Sequence, residues 1–92
     1  MNIEFLYDID TDGPHVHNHG VSEDEAIQVL ENANLHLKGR RGATLAFGQT
    51  SAGRYLKVVY RKRSDGIFVI TAYDLAGKAL RAYRRRLRRK GK

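Results

Sequence analysis

Apolar residues recur along this chain in two rhythms, a period of two and a period near 3.6, and each predicts an element. From Met1 to Tyr7, Ile3, Phe5 and Tyr7 alternate with Asn2, Glu4 and Leu6, the pattern of a short strand with one buried face. From Asp8 to Gly20 the rhythm stops. This stretch holds three aspartates, two glycines, the only proline and three histidines, and it reads as an irregular loop whose clearest turn signal is Asp12-Gly13-Pro14. Ser22, followed by Glu23, Asp24 and Glu25, then has the capping-box pattern. The serine oxygen can accept a free amide at the third helical position while Glu25 reaches back to the serine amide. The three acids lie at the positive end of the helix dipole. Ala26, Ile27, Val29, Leu30 and Ala33 give that helix an apolar face, and it is expected to end near Asn32 to Asn34.

A basic, glycine-containing link, Lys38 to Gly42, leads into three strand-like runs at Thr44–Thr50, Arg54–Lys62 and Ile67–Tyr73. Their connections are short, which predicts antiparallel hairpins. In the middle run Leu56, Val58 and Tyr60 share one face, and Tyr55, Lys57, Val59 and Arg61 share the other, a basic and aromatic surface. His36 falls at an element boundary. From Leu75 to about Lys90 the period returns to 3.6: Ala76, Leu80, Tyr83 and Leu87 form one stripe while Arg81, Arg85 and Arg88 point elsewhere. The predicted fold is α+β over a single domain, residues 1–92: strand, helix, three-stranded antiparallel meander, helix, with the helices packed on one face of a small sheet.

At 92 residues the chain builds one modest core. It has no cysteine, which excludes disulfides and thiolate catalysis. No apolar run approaches the roughly 18 residues of a membrane span, and the N-terminus lacks the basic and apolar regions of a signal peptide. The expectation is a soluble, cytoplasmic protein with no membrane partner. The apolar stripe of the last helix carries alanine and tyrosine where interfacial anchors carry Leu, Phe and Trp.

Charge changes the picture more than composition does. Residues 1–37 carry eight acids and no Lys or Arg, residues 38–63 carry eight bases, and residues 75–92 carry nine bases and no acid. The net charge of +7 is therefore an average over two opposite poles. Arg84, Arg85, Arg86, Arg88, Arg89 and Lys90 repel one another in an isolated helix, each like-charged neighbour at i,i+4 costing about 0.2 to 0.5 kcal/mol. Such a row suits an anionic partner.

The chemical motifs narrow the field. There is no Walker loop, no dinucleotide fingerprint and no Ser-His-Asp spacing. His15, His17 and His19 alternate as imidazoles facing one metal would, but no carboxylate is fixed beside them by spacing, so neither metal nor cofactor is assigned. Acid-base work by one of them fits better. Asp8, Asp10 and Asp12 lack the glycine and glutamate of a calcium loop and read as solvated acids. Arg54, Lys57, Arg61, Arg81, Tyr83 and Arg85 form the favoured constellation. Guanidinium groups suit the charge that develops in phosphodiester cleavage, and tyrosine can relay a proton or stack on a base. Tyr83 also sits on the apolar stripe, where it would be core.

Three stretches, in this order, resemble the BrnT-like group of bacterial toxins within the RelE-type ribonuclease superfamily. They are His19-Gly20-Val21-Ser22 with Glu23-Asp24-Glu25-Ala26; Gly48-Gln49-Thr50-Ser51-Ala52-Gly53-Arg54-Tyr55-Leu56-Lys57-Val58-Val59; and Ile70-Thr71-Ala72-Tyr73 leading to Lys78-Ala79-Leu80-Arg81-Ala82-Tyr83. The resemblance implies a compact RelE-like toxin that cleaves RNA without metal, on or off the ribosome, and is neutralised by an antitoxin. Arg54, Arg81 and Tyr83 match family positions and would be catalytic; Tyr73 is a further catalytic candidate from the residues themselves, and Lys57, Arg61, Arg84, Arg85 and Arg88 are candidates to bind nucleic acid. Where many members have Ser-Ala-Arg, this chain has Thr71-Ala72-Tyr73, so tyrosine replaces a basic group. The alternatives are a basic RNA- or DNA-binding module without chemistry, and an interaction domain whose acidic first third meets a basic protein.

Overall fold

The computed structural model describes residues 2–90. Met1 and Lys92, counted above in the first strand and the C-terminal charge, and the side chain of Lys90 lie outside the described residues. The elements run β1 (Asn2–Phe5), β2 (Tyr7–Asp8), β3 (Gly13–Pro14), a short 3-10 helix (His15–His19), α1 (Glu23–Asn32), β4 (Leu35–Lys38), β5 (Thr44–Gln49), β6 (Tyr55–Arg63), β7 (Gly66–Asp74) and α2 (Gly77–Lys90). The main sheet is five-stranded and mixed, in the order β1-β7-β6-β5-β4, while β2 and β3 form a separate two-stranded ribbon. This is an α+β fold larger than the sequence suggests. β1 joins the edge of β7 in parallel, Asn2 opposite Gly66 and Phe5 opposite Val69. At the far edge the segment after α1 becomes a strand, β4, antiparallel to β5.

The helices do not share a face. Strand alternation sends Ala46, Leu56, Val58, Tyr60, Val69 and Ala72 inward, where they pack with Val16 and Val21 and with Ala26 and Val29 of α1. The opposite parity sends Leu35, Leu37, Phe47 and Tyr55 outward, where they pack with Leu80, Tyr83 and Leu87 of α2. The sheet is therefore a central layer with α1 on its inner face and α2 on its outer face. The expectation of helices on one side fails because Leu35, Leu37 and Phe47 of β4 and β5 face outward while Ala46, Leu56 and Val58 face inward, so both faces need cover. α1 begins as its sequence dictates: the Ser22 side chain accepts from the Glu25 amide, and Glu25 accepts from the Ser22 amide.

A bulge in β7 sets what the outer face displays. Val59 pairs with Thr71 but Tyr60 pairs with Val69, leaving Ile70 as the extra residue. The shift lets Val69 and Ala72, three residues apart, both face inward, and it puts Phe68 and Tyr73, five apart, together on the outer face. α2 covers only the β4, β5 and early β6 part of that face. The part formed by the rest of β6, by β7 and by β1 lies beyond the apolar contacts of α2, with Arg61 and Tyr73 exposed and Thr71 buried between Tyr73 and Phe68.

The closest approach in the sheet is at its start. A side chain on Gly66 would collide with the backbone of Asn2, its register partner. Gly66→Ala is expected to displace β1 and cost about 1 to 3 kcal/mol, the range for overpacking a closed site. Urea denaturation checks this, and an unchanged midpoint would contradict the parallel pairing.

Candidate nucleic-acid interface

Arg54 stands at the mouth of β6, where three segments converge. Its Nε and Nη2 donate to Asp74 Oδ1 and Oδ2 at 2.7 and 3.0 Å. Its Nη1 donates to the Gly20 carbonyl at 2.8 Å and to Glu25 at 2.9 and 3.1 Å. A fork of this kind matches planar acceptors in a way no lysine can. The Ser22 amide and then Arg54 hold the Glu25 carboxyl below the usual carboxylate range, and Arg54 does the same for Asp74. The paired carboxylates in turn raise the Arg54 guanidinium above its ordinary value. Arg54, expected at the phosphate, is thus engaged by protein acceptors and joins β6 to the end of β7, the start of α1 and the end of the 3-10 helix.

Tyr83, the second tyrosine expected at the chemistry, is 3% exposed. Its ring stacks on Phe47 with centroids 5.9 Å apart and meets the edge of Tyr55, and its hydroxyl accepts from Asn34 Nδ2 at 3.4 Å. It anchors α2. Arg81, on the far side of that helix, shares a cleft of about 280 Å³ with Arg84, Arg85 and Arg88. Their i, i+3, i+4, i+7 spacing explains why one helix face gathers all four. All four are exposed, and no acid lies within α2 to neutralise them.

Tyr73 and Lys57 are register partners on the uncovered outer face. The Lys57 ammonium lies 5.2 Å from the centre of the Tyr73 ring, and the His19 ring lies 4.4 Å from it. Further along, the Arg63 guanidinium sits 4.2 Å over Phe68, and Arg84 reaches from α2 to within 5.1 Å of Tyr55. Arg61 is exposed on the same face. The structure therefore brings Lys57, Tyr73 and Arg61 onto one surface and sets the α2 arginines along its border, while Arg54 and Tyr83 serve neighbouring structure. Phe68 and Arg63 were missed, and His19 was singled out only together with His15 and His17. Only the bulge shows that Phe68 shares a face with Tyr73, and no spacing in the sequence brings His19 to β7.

The His15 and His19 rings meet edge to face with centroids 5.6 Å apart, but the three loop histidines do not converge on one point. His15 Nδ1 lies 3.3 Å from Asp8, His17 Nε2 lies 3.1 Å from Glu23, and His19 turns to Tyr73. No group of three or more His, Cys, Asp or Glu among the described residues could hold a metal ion. Asp8 is not a free solvated acid: Asn18 and His15 lower its carboxyl pKa, and its Oδ1 takes the Asp10 amide. No helix among the described residues is long and apolar enough to cross a membrane.

No family model, no curated protein and no solved structure matches this chain.

The Arg54 junction should govern acid stability. Its carboxylates have folded pKa values below their unfolded ones, so their contribution is complete above the unfolded value and disappears as pH falls through the folded one. Arg54→Met is expected to cost about 2 kcal/mol at neutral pH, the scale of charge-assisted hydrogen bonds. It should also flatten the loss of stability below about pH 4, where free carboxylates titrate. Urea midpoints across that range test the idea, and parallel curves for the two proteins would reject it.

Proposed function

We propose that this protein binds RNA, with the phosphate backbone held by the arginine row of α2 and the adjoining cationic part of the outer sheet face. The observation that carries the reading is the cleft of Arg81, Arg84, Arg85 and Arg88 on a helix without acids. Guanidinium groups bind phosphate oxygens bidentately, and a phosphate ligand removes the mutual repulsion of such a row. Lys57 and Arg61 extend the positive surface across β6. Burying Leu80, Tyr83 and Leu87 fixes the helix against the sheet, so the row is presented on a packed support. An antitoxin or the ribosome as further partners is carried by the family resemblance alone.

Binding is expected to fall steeply with salt, with a slope in log K against log salt of about −0.7 for each phosphate contact on a single strand. Arg84→Gln with Arg88→Gln should weaken binding across sequences and lower that slope by about 0.7 per contact removed. Fluorescence anisotropy at several salt concentrations measures both. A slope near zero in the parent protein would remove the proposal.

RNA cleavage is the second reading, favoured by the contact of Tyr73 with both Lys57 and His19 beside the basic row. In such a reaction the 2′-hydroxyl oxygen attacks phosphorus and gives its proton to a base, and the departing 5′-oxygen takes a proton from an acid. The products are a 2′,3′-cyclic phosphate and a 5′-hydroxyl. His19, Tyr73 and Lys57 are groups able to carry those protons, and the arginines suit the phosphorane charge. End-labelled RNA incubated with the protein should give discrete fragments, reduced roughly a hundredfold in rate or more by Lys57→Met if Lys57 supplies charge to the transition state. RNA that stays intact while bound leaves the binding reading alone standing.

A further inference from the structure

The uncovered half of the outer face has a feature that phosphate binding does not use. Tyr73 and Phe68 lie on it and Tyr55 stands at its border with α2, and each has a cation against its ring: Arg84 on Tyr55, Lys57 on Tyr73 and Arg63 on Phe68. These three contacts lie among the described residues, and strand register puts all of them on one side of one sheet.

The bulge at Ile70 produces this arrangement. Without it Phe68 and Tyr73 would point to opposite faces, and with it they stand roughly 15 Å apart along β7 at about 3.3 Å per residue. Tyr73 is 37% exposed, high for a large apolar ring on a sheet, and Phe68 is half-buried under Arg63. The one acid that alternation places on this face among the described residues is Glu4, which is paired with Arg63 at 3.4 Å. Aromatic rings that alternate with cations are complementary to a polymer that alternates flat bases with anionic phosphates.

We infer that the uncovered outer face is a base-stacking platform, so that the RNA recognised is single-stranded. Its bases stack on Tyr73 and Phe68 while Lys57, Arg61 and Arg63 take the intervening phosphates and the α2 arginines hold the strand beyond Tyr55. This rests on the RNA-binding reading and specifies its substrate class. Base faces within a duplex are already stacked and inaccessible, whereas every base of a single strand offers one. The arginine row alone would hold either form.

The test is anisotropy with a labelled single-stranded RNA of about 12 nucleotides, a usual site size for such surfaces, and with a duplex of the same sequence. Tyr73→Leu and Phe68→Leu are each expected to weaken single-strand binding about tenfold, the scale of one lost base stack. Duplex binding should change less than about twofold, and the salt slope should be unaffected because no phosphate contact is lost. Tyr73→Trp, which keeps the ring, should retain single-strand affinity. Tyr73 is exposed, so its substitutions test the surface without opening the core. Equal losses on both forms would overturn the platform, as would no loss in either leucine variant while Arg84→Gln still weakens binding. The RNA-binding reading survives both of those outcomes. Failure of the parent protein to bind either form would remove the two together.

Discussion

One guanidinium holds this fold together at the point where its layers meet. Arg54 ends the loop before β6 and bonds at once to the end of β7, the first turn of α1 and the last residue before Val21. Those are the segments that cover the inner face and the segment that leads to α2 on the outer one. Partly exposed ion pairs contribute little singly. This one is bidentate to Asp74, shared with a capping box and closed by a carbonyl, and geometry of that quality is what makes an exposed pair count. It also fixes Gly20, and with it the neighbouring His19 against Tyr73.

Around that junction the charge is sorted by layer. The acids of α1 belong to the inner cover, and Glu25 among them is matched to a base from the sheet. The arginines of α2 belong to the outer cover and find no such match within their helix. Packing of Leu80, Tyr83 and Leu87 on Leu35, Leu37, Phe47 and Tyr55 opposes their repulsion. The helix that carries most of the positive charge is thus fastened by apolar contact, which leaves its guanidinium groups available to solvent or to an anion.

Periodicity made much of this legible. The capping box located α1, turn residues bracketed β5, β6 and β7, and alternation in β6 separated Leu56, Val58 and Tyr60 from Lys57 and Arg61. What it could not supply were relations between distant residues. Nothing in Asn2–Phe5 says that it pairs in parallel with β7, and Leu35–Lys38 is too short to announce a strand. The bulge is a property of two strands together, so Phe68 gave no sign of sharing a face with Tyr73. Arg54 and Tyr83 were picked out by charge and ring chemistry, but their partners, Asp74 and Glu25 in one case and Phe47 and Tyr55 in the other, come from tertiary packing. RNA as the partner was suggested by the resemblance and by the arginine row of α2.

The parallel seam between β1 and β7 bears on the order in which the chain can fold. Asn2 and Asp65 meet across sixty-three positions of sequence, whereas β5 and β6, or β6 and β7, are joined by turns of a few residues. Loop-closure entropy rises with the logarithm of separation, and local contacts close first. The hairpins therefore come together ahead of β1, and in that interval β7 is an edge strand with unpaired amides and carbonyls. β1 is thus placed last on the sheet, and it acts as a seal over an edge that would otherwise recruit a neighbouring molecule.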